Sequence, residues 1–251
     1  DGDDAPGQGE LIAVVTGDVF RHLKIRHGDP DATGDVIVEW TYEVGMQDQA
    51  FMGPECGLAI PDHDGGGVEL FISTQFLHVD RKQVAACLGP EEGQVRLTLA
   101  GVGGAFGARE DVSLQVHCCL LALRTGRPVK MTYSRPESFH GHVHRHPATM
   151  WYRHHATADG TLVKVEARLV LDGGAYASSS PAVIGNAACF AVGPYATPNA
   201  LIDGWAMRTN NPPCGAMRGF VAVQALTIDK TLDERALVAA GFIDGACLDH
   251  A

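Results

Sequence analysis

A stretch of nearly bare backbone is the part of the sequence best suited to hold a polar ligand. The run AGVGGAFGARED, from Ala100 to Asp111, has four glycines within seven residues and follows the alternating run QVRLTL. A helical pattern begins at Val112, so the run is expected to lie between a strand and a helix N-terminus. Exposed N–H groups and the helix dipole at such a point favour an anionic or strongly polar ligand.

Three interpretations of this glycine loop compete. A dinucleotide fingerprint requires G-x-G-x-x-G, but counted from Gly101 its last position is Phe106, and Gly107 comes one residue late. A phosphate-binding Walker loop needs a closing Gly-Lys-Ser/Thr, which the sequence lacks. The third interpretation is a tight turn that uses glycine only for unusual backbone angles. Spacing therefore excludes the two nucleotide motifs.

Four histidines at alternate positions are a second candidate for chemistry. In HGHVHRHP a strand would point all of them to one face, where they could bind a transition metal; they are His140, His142, His144 and His146. Metal sites usually recruit ligands from separate elements and need further hydrogen-bond partners. The sequence therefore favours a polar strand or loop whose histidines bond to their neighbours, and we expect no metal ligated directly by the protein.

Cysteines and hydrolase motifs offer no further chemistry. The seven cysteines show no CxxC spacing suited to zinc or an iron–sulfur cluster. The adjacent pair Cys118 and Cys119 lies in an apolar helical context, where cysteine usually behaves as a small hydrophobe. There is no G-x-S-x-G elbow and no H-E-x-x-H. Hydrolase activity is therefore not supported.

Composition limits the classes of partner. The 251 residues carry a formal net charge of -11, and the 19 basic residues are scattered, which argues against a nucleic-acid surface. No apolar run approaches the roughly 20 residues that cross a bilayer. The acidic, glycine-rich start DGDDAPGQGE has none of the features of a signal peptide. We expect a cytoplasmic protein with neither nucleic acid nor membrane as partner.

The elements that must position these residues indicate an α+β fold with mixed sheets and packed helices. Residues 1–34 are predicted to be a lead-in segment or the tail of a preceding domain, and residues 35–251 the compact domain. Strands are predicted at Asp35–Val44, Val68–Ser73, Val95–Leu99, Pro128–Ser134, Met150–Thr157 and Leu162–Leu171. Helices are predicted at Asp80–Leu88 and Val112–Arg124, and a third begins at Ser134, where SRPE has capping-box spacing.

The glycine loop is one of several motifs that stand in a particular order. They are GVGGAFGARED, TGRPVKMTYSRPESF, RHPATMWYR, DGGAYAS, GPY and TNNPPCGAMRGF. From about Asp35 to about Gln224 the chain resembles the molybdenum-binding subunit of the xanthine dehydrogenase and aldehyde oxidase family. GMQDQAF, GHVHRHPATM and NAACFAVGPY look most like bacterial xanthine dehydrogenase subunits. The resemblance implies the first half of a molybdopterin-binding region.

The resemblance implies a hydroxylase that carries molybdenum on a pterin dithiolene cofactor. Such an enzyme adds a water-derived oxygen to a carbon next to nitrogen or to an aldehyde carbon. By the resemblance, the backbone of Gly104-Ala105-Phe106-Gly107 would approach the molybdenum oxygen ligands, and Gln75 would hydrogen-bond one of them. Arg218 would lie beside the cofactor, in a loop that offers backbone N–H and positive charge. The cofactor-binding residues so implied are Gln75, Gly103, Gly104, Ala105, Phe106, Gly107 and Arg218.

The substrate implied by the resemblance is a purine such as xanthine or hypoxanthine, or an aldehyde. Glu110 would face the heterocycle, and Phe220 would be one of the aromatic rings that sandwich it. Each has another explanation: Glu110 as a first-turn helix acid favoured by the dipole, and Phe220 as ordinary core. Asn186 stands where many purine hydroxylases carry an arginine; it can hydrogen-bond a heterocycle but supplies no charge. Either another residue takes that role or the substrate differs.

The family's general-base glutamate lies in a glycine-rich motif far downstream, and this chain ends before it. No catalytic residue is therefore assigned, and the chain is expected to be a fragment that is inactive alone. Iron–sulfur and FAD modules on partner chains would take the electrons. The alternative hypothesis is a non-catalytic truncated module that folds and associates with partner subunits without binding cofactor.

Overall fold

The computed structural model describes residues 18–226, which divide into two compact units. The first unit comprises residues 18–47, 145–214 and 219–226, and the second comprises residues 48–144 and 215–218. The predicted boundary at residue 35 stays a prediction. Within the described part of the chain, no helix is both long and apolar enough to cross a membrane. The cytoplasmic location likewise stays a prediction.

The first unit is a five-stranded mixed sheet with one helix. Its elements are β1 (Val19–His27), β2 (Val36–Val44), β7 (Ala148–Ala156), β8 (Leu162–Asp172), β9 (Asn199–Met207) and α4 (Ser180–Cys189). The strand order is β1-β9-β8-β7-β2, with β8 and β9 parallel and the other pairs antiparallel. Side chains of the sheet and α4 form its core, which includes Met150, Tyr152, Leu169, Leu171, Ile184 and Ile202.

The second unit is a four-stranded mixed sheet with three helices. Its elements are β3 (Cys56–Pro61), β4 (Val68–Ile72), β5 (Val95–Leu99), β6 (Val129–Thr132), α1 (Leu77–Leu88), α2 (Gln115–Thr125) and α3 (Arg135–Gly141). The order is β5-β4-β3-β6, and only β4 and β5 run parallel. Its core includes Leu70, Ile72, Val84, Leu114, Cys118 and Cys119.

The predicted fold class is confirmed, and each predicted strand has a counterpart. The hairpin between β7 and β8 turns at Gly160, whose φ is +85°. The predicted capping box is also present: Ser134 Oγ accepts from the Glu137 N–H at 3.4 Å, and Glu137 Oε2 accepts from the Ser134 N–H at 2.7 Å. The fully buried Cys118 and Cys119 behave as the small hydrophobes that were expected.

Three strands and one helix were not predicted: β1, β3, β9 and α4. In β3 and β9 a glycine interrupts the apolar pattern because packing leaves no room for a side chain. A Cβ on Gly57 would lie 2.8 Å from Leu114 Cδ1, and one on Gly204 would lie 2.9 Å from Ile184 Cδ1. Close approach of α2 and α4 to the sheets thus requires residues that weaken the strand signal.

Candidate functional site

The glycine loop connects β5 to α2 in the second unit and contains neither helix nor strand. Helix α2 begins at Gln115, not at the predicted Val112, so the loop is not directly followed by a helix N-terminus. A helix dipole acts only within the first turn. The expectation that the loop leads directly into the first turn of α2, where the dipole acts, is therefore wrong.

The first part of the loop exposes its backbone. The N–H groups of Gly101–Gly104 donate to no acceptor among residues 18–226. A Cβ on Gly101 or Gly103 would meet nothing within 4 Å, and Gly104 has φ +100°, which favours glycine. Ala105, by contrast, is buried and anchors the loop. The result is a run of N–H groups without an acceptor among residues 18–226, next to a residue that fixes the loop.

The second part of the loop is held by Gln75 and by the segment Gly215–Arg218. The Gly107 N–H donates to Gln75 Oε1 at 3.0 Å, and the Arg218 N–H donates to Phe106 O at 2.8 Å. A Cβ on Gly107 would lie 2.5 Å from Ala216 O. Gly107 is thus required by packing against this segment, and the structure brings these residues of the implied cofactor set together.

The side-chain amide of Gln75 is oriented by these contacts. Its Oε1 is taken by Gly107, and its backbone N–H donates to Arg109 O at 2.9 Å. The Nε2 group has no partner among the described residues, and the side chain is exposed. Gln75 therefore presents a hydrogen-bond donor and not an acceptor beside the loop.

Arg218 lies in the segment that holds the loop, and its side chain is exposed. Because its backbone N–H already donates to Phe106 O, it is not available to a ligand. The part of Arg218 that can interact with an anionic group is its guanidinium, which supplies positive charge.

Arg109 is a structural residue that the sequence did not single out. Its guanidinium donates to Ser73 Oγ and Gly53 O and lies 4.7 Å from the centre of the Phe51 ring. Its carbonyl accepts from the N–H of Gln75. Burial lowers the pKa of Arg109, which is 5% exposed. The available signal in the sequence was a lone arginine among small residues. In the structure, Arg109 joins the loop to the end of β4.

Glu110 is half-buried in the same loop. Burial, followed by repulsion from Asp111, raises the pKa of its carboxyl group. The N-cap of α2 is Leu114, four residues downstream, so the alternative of a first-turn helix acid is wrong. A partly desolvated carboxyl with a raised pKa is suited to hydrogen-bond a polar ligand.

The other two implied substrate residues belong to the first unit. Asn186 is exposed on α4, and its carbonyl accepts from the Phe190 N–H at 3.1 Å. Phe220 has φ +47° and packs partly against the core of the first unit. Part of the Phe220 ring therefore has the ordinary core role that was the alternative for this residue.

Two of the sequence motifs meet in the first unit. Asp172, in DGGAYAS, accepts from Thr209 Oγ1 at 2.6 Å and from the Asn211 side chain, both in TNNPPCGAMRGF. A Cβ on Gly174 would lie 2.2 Å from Pro212 O, so the two chain segments are in close contact. The contacts between the two chain segments therefore explain why the motifs contain these polar residues and this glycine.

The comparison with family models decides the identity of the chain. Residues 14–237 match the model described as molybdopterin cofactor-binding domain. The chain belongs to this family. It is 42% identical over 208 residues to the nicotinate dehydrogenase large molybdopterin subunit of Eubacterium barkeri, covering 82% of this chain and 48% of that protein. It is 34% identical over 207 residues to a probable xanthine dehydrogenase subunit of Bacillus subtilis (strain 168), covering 81% and 28% respectively.

Solved structures share the fold of this molybdopterin cofactor-binding domain. The aldehyde oxidoreductase of Desulfovibrio gigas has a TM-score of 0.84 and 25% identity, over 90% of this chain and 25% of that one. Quinoline 2-oxidoreductase of Pseudomonas putida 86 has a TM-score of 0.81 and 24% identity, over 94% and 31%. The chain thus spans about half or less of the length of the relatives it matches.

The residues of the loop fit a molybdenum–pterin group. Its oxygen atoms are acceptors, and the loop offers donors: the N–H groups of Gly101–Gly104 and the Nε2 of Gln75. The absence of Cβ contacts at Gly101 and Gly103 leaves the backbone accessible. Donors without protein acceptors, on bare backbone, are what an anionic group requires.

The histidine segment does not form the one-faced strand that its spacing suggested. His140 lies exposed in α3, whereas His146, in the first unit, bonds Ser180 Oγ at 2.8 Å. His142 and His144 lie in the loop that follows α3 and meet Asp48 in the second unit. The expected hydrogen bond to a polar neighbour is present for His146, whereas His142 and His144 lie close to Asp48 Oδ2 without hydrogen-bond geometry.

Proposed function

We propose that this domain forms part of a molybdenum hydroxylase and holds the molybdenum–pterin cofactor at the glycine loop. The observation that carries the proposal is the set of free donors described above. Gly101–Gly104 and the oriented Gln75 amide supply hydrogen bonds to an anionic group, and no acceptor among residues 18–226 competes for them. When bound, the cofactor supplies the oxygen-transfer and electron-accepting chemistry that side chains lack.

The residues of the chain have separate roles in this proposal. Gln75 donates from Nε2 to an oxygen of the cofactor, while its Oε1 remains on the Gly107 N–H. The guanidinium of Arg218 supplies positive charge. Glu110, whose pKa is raised by burial, hydrogen-bonds the substrate and favours its own protonated form more than an exposed glutamate does. The general base is not assigned to any described carboxylate.

The substrate class that we propose is an N-heterocycle. Glu110 can donate to or accept from a ring nitrogen or carbonyl oxygen, depending on its protonation. The names of the two relatives above, nicotinate dehydrogenase and xanthine dehydrogenase, also refer to N-heterocycles. An aldehyde is the second possibility, in line with the named aldehyde oxidoreductase. Electrons would leave through iron–sulfur and FAD modules on partner chains.

Replacing one donor while keeping its acceptor tests the assignment of Gln75. Gln75→Glu retains an oxygen for the Gly107 N–H but exchanges the Nε2 donor for a second carboxylate oxygen. A hydrogen bond to a charged group contributes about 1.5–3 kcal/mol, so cofactor affinity should fall roughly 10- to 100-fold. Gln83→Glu, at an exposed position of α1, is the matched control.

The measurement is the molybdenum and pterin content of the purified, folded chain, by metal analysis and fluorescence of the oxidised pterin. We expect cofactor in the wild type and in Gln83→Glu, and a large loss in Gln75→Glu with an unchanged melting temperature. Equal loading of both variants would overturn the Gln75 assignment. A folded wild-type chain without cofactor would support the alternative of a non-catalytic module.

A further inference from the structure

A cluster of metal-binding side chains lies in the second unit outside the glycine loop. Asp48 Oδ2 is 3.0 Å from His142 Nε2 and 3.0 Å from His144 Nε2. One ligand atom from each of the three residues lies within 4.8 Å of the others. The residues come from two segments, one before β3 and one after α3, as is usual for metal ligands.

The three atoms are close together without forming ordinary hydrogen bonds. Asp48 Oδ2 and both ring nitrogens of His142 are buried and have no hydrogen-bond partner of acceptable geometry among the described residues. Asp48 is fixed by its other oxygen, which accepts from the Ala50 N–H at 2.6 Å. Ligand atoms about 2.1 Å from a tetrahedral zinc ion are about 3.4 Å apart, compared with 3.0 Å between Asp48 Oδ2 and each of the two imidazole nitrogens.

A second carboxylate supports the cluster. Glu55 is 4% exposed, and its Oε1 lies 3.1 Å from His142 Nδ1, a charge contact at a distance that a small ring rotation would make a hydrogen bond. A carboxylate on the remote nitrogen of a histidine orients the ring and its tautomer in many metal sites. Asp48 and Glu55 bring two negative charges, and neutral imidazoles bring none. A divalent cation would therefore neutralise the cluster.

We propose that Asp48, His142 and His144 bind one transition-metal ion of the zinc class, with Glu55 orienting His142. Nitrogen and carboxylate oxygen together suit zinc and its neighbours, not calcium or magnesium. The side chain of His142 is 1% exposed, whereas those of His144 and Asp48 are 13% and 22% exposed, which leaves the ion a route of entry.

The ion would support the segment that holds the glycine loop. The carbonyl of His144 accepts from the Gly215 N–H at 2.9 Å. Gln49, next to Asp48, donates to Val143 O at 3.1 Å and to Ala216 O at 2.7 Å. Ala216 O is the atom against which Gly107 packs. The proposed role is therefore structural, since the ion joins two segments that hold Gly215–Arg218 in place.

Zinc titration of the full chain tests this site. The chain is stripped with a chelator and titrated with Zn²⁺ in the presence of a chromophoric competitor. We expect one saturable site per chain, weakened at least tenfold in Asp48→Asn and in His144→Gln. The amide oxygen introduced by Asp48→Asn would still accept the Ala50 N–H, so this change is mild for the fold. His140→Gln, at an exposed histidine of α3, is the matched control and should bind like the wild type.

X-ray absorption of the zinc-loaded wild type gives a readout that does not depend on the variants folding. Two imidazole ligands are expected in its outer-shell scattering. Fewer than two imidazoles would overturn the proposal, as would a folded wild type without a saturable site. Equal affinity of all three variants would do the same, because zinc would then be held by other histidines. A protein that takes up no zinc, yet loses stability in Asp48→Asn, would overturn it in favour of a cluster that stabilises the fold without a metal.

Discussion

Gly107→Ala should destabilise the second unit although it adds a single methyl group. The added Cβ would lie 2.5 Å from Ala216 O, 2.6 Å from Ala216 C and 3.0 Å from Met217 Cα. All three are backbone atoms, so no change of rotamer relieves the contact. The φ of +107° is a second cost for any residue with a Cβ. Steric overlap and backbone strain together should cost about 2–5 kcal/mol.

Gly103→Ala is the matched control, because its Cβ would meet nothing within 4 Å and its φ is not in the left-handed region. Urea unfolding followed by circular dichroism gives the free energy of unfolding of both variants. Gly103→Ala should lie within about 0.5 kcal/mol of the wild type. If Gly107→Ala is as stable as Gly103→Ala, the close packing of the loop on Gly215–Arg218 is wrong.

Two further predictions concern buried titratable groups. Burial lowers the pKa of His146 to about 4, so its neutral form stabilises the fold above pH 6.5 and that contribution is lost as the pH falls through about 4. The loss is about 3 kcal/mol. Urea unfolding should therefore show that the difference in free energy of unfolding between wild type and His146→Gln shrinks between pH 7 and pH 3.5. A difference that stays constant over this range would contradict the prediction. Burial raises the pKa of the Cys119 thiol to about 12, and repulsion from Cys118 adds to the effect. Iodoacetamide at pH 8 should therefore alkylate exposed Cys87 at least about 100-fold faster than Cys119 in the folded protein, and equal rates in peptide mass spectra would refute the burial of Cys119.

Local signals predicted the regular elements where pattern and burial agree. The six predicted strands show apolar alternation or apolar runs, and Ser134 carries its capping signal in four adjacent residues. Strand β3 escaped prediction because Gly57 and Pro61 interrupt its pattern. Gly57 makes room for Leu114 at the start of α2, which is more than fifty residues away along the chain. The residues next to Gly57 in the sequence do not indicate such a long-range contact.

The candidate site shows the same division between local and long-range information. The glycines mark the loop, but packing on Ala216, not open space, explains Gly107. Arg109 could not be assigned from spacing, since its partner Gly53 is 56 residues away. The alternate spacing of the four histidines predicted that they lie on one face of a strand. The end of α3 and the following loop separate them, and only the structure brings Asp48 to His142.

Amide hydrogen exchange across Gly101–Gly104 tests the cofactor-binding loop most directly. Exchange is compared between cofactor-loaded and cofactor-free protein, with residues of β8 as the internal reference. Because these N–H groups donate to no acceptor among residues 18–226, they should exchange rapidly without cofactor and at least about tenfold more slowly with it. Unchanged exchange in Gly101–Gly104, with protection appearing elsewhere in the loaded protein, would contradict the assignment of the cofactor to this loop.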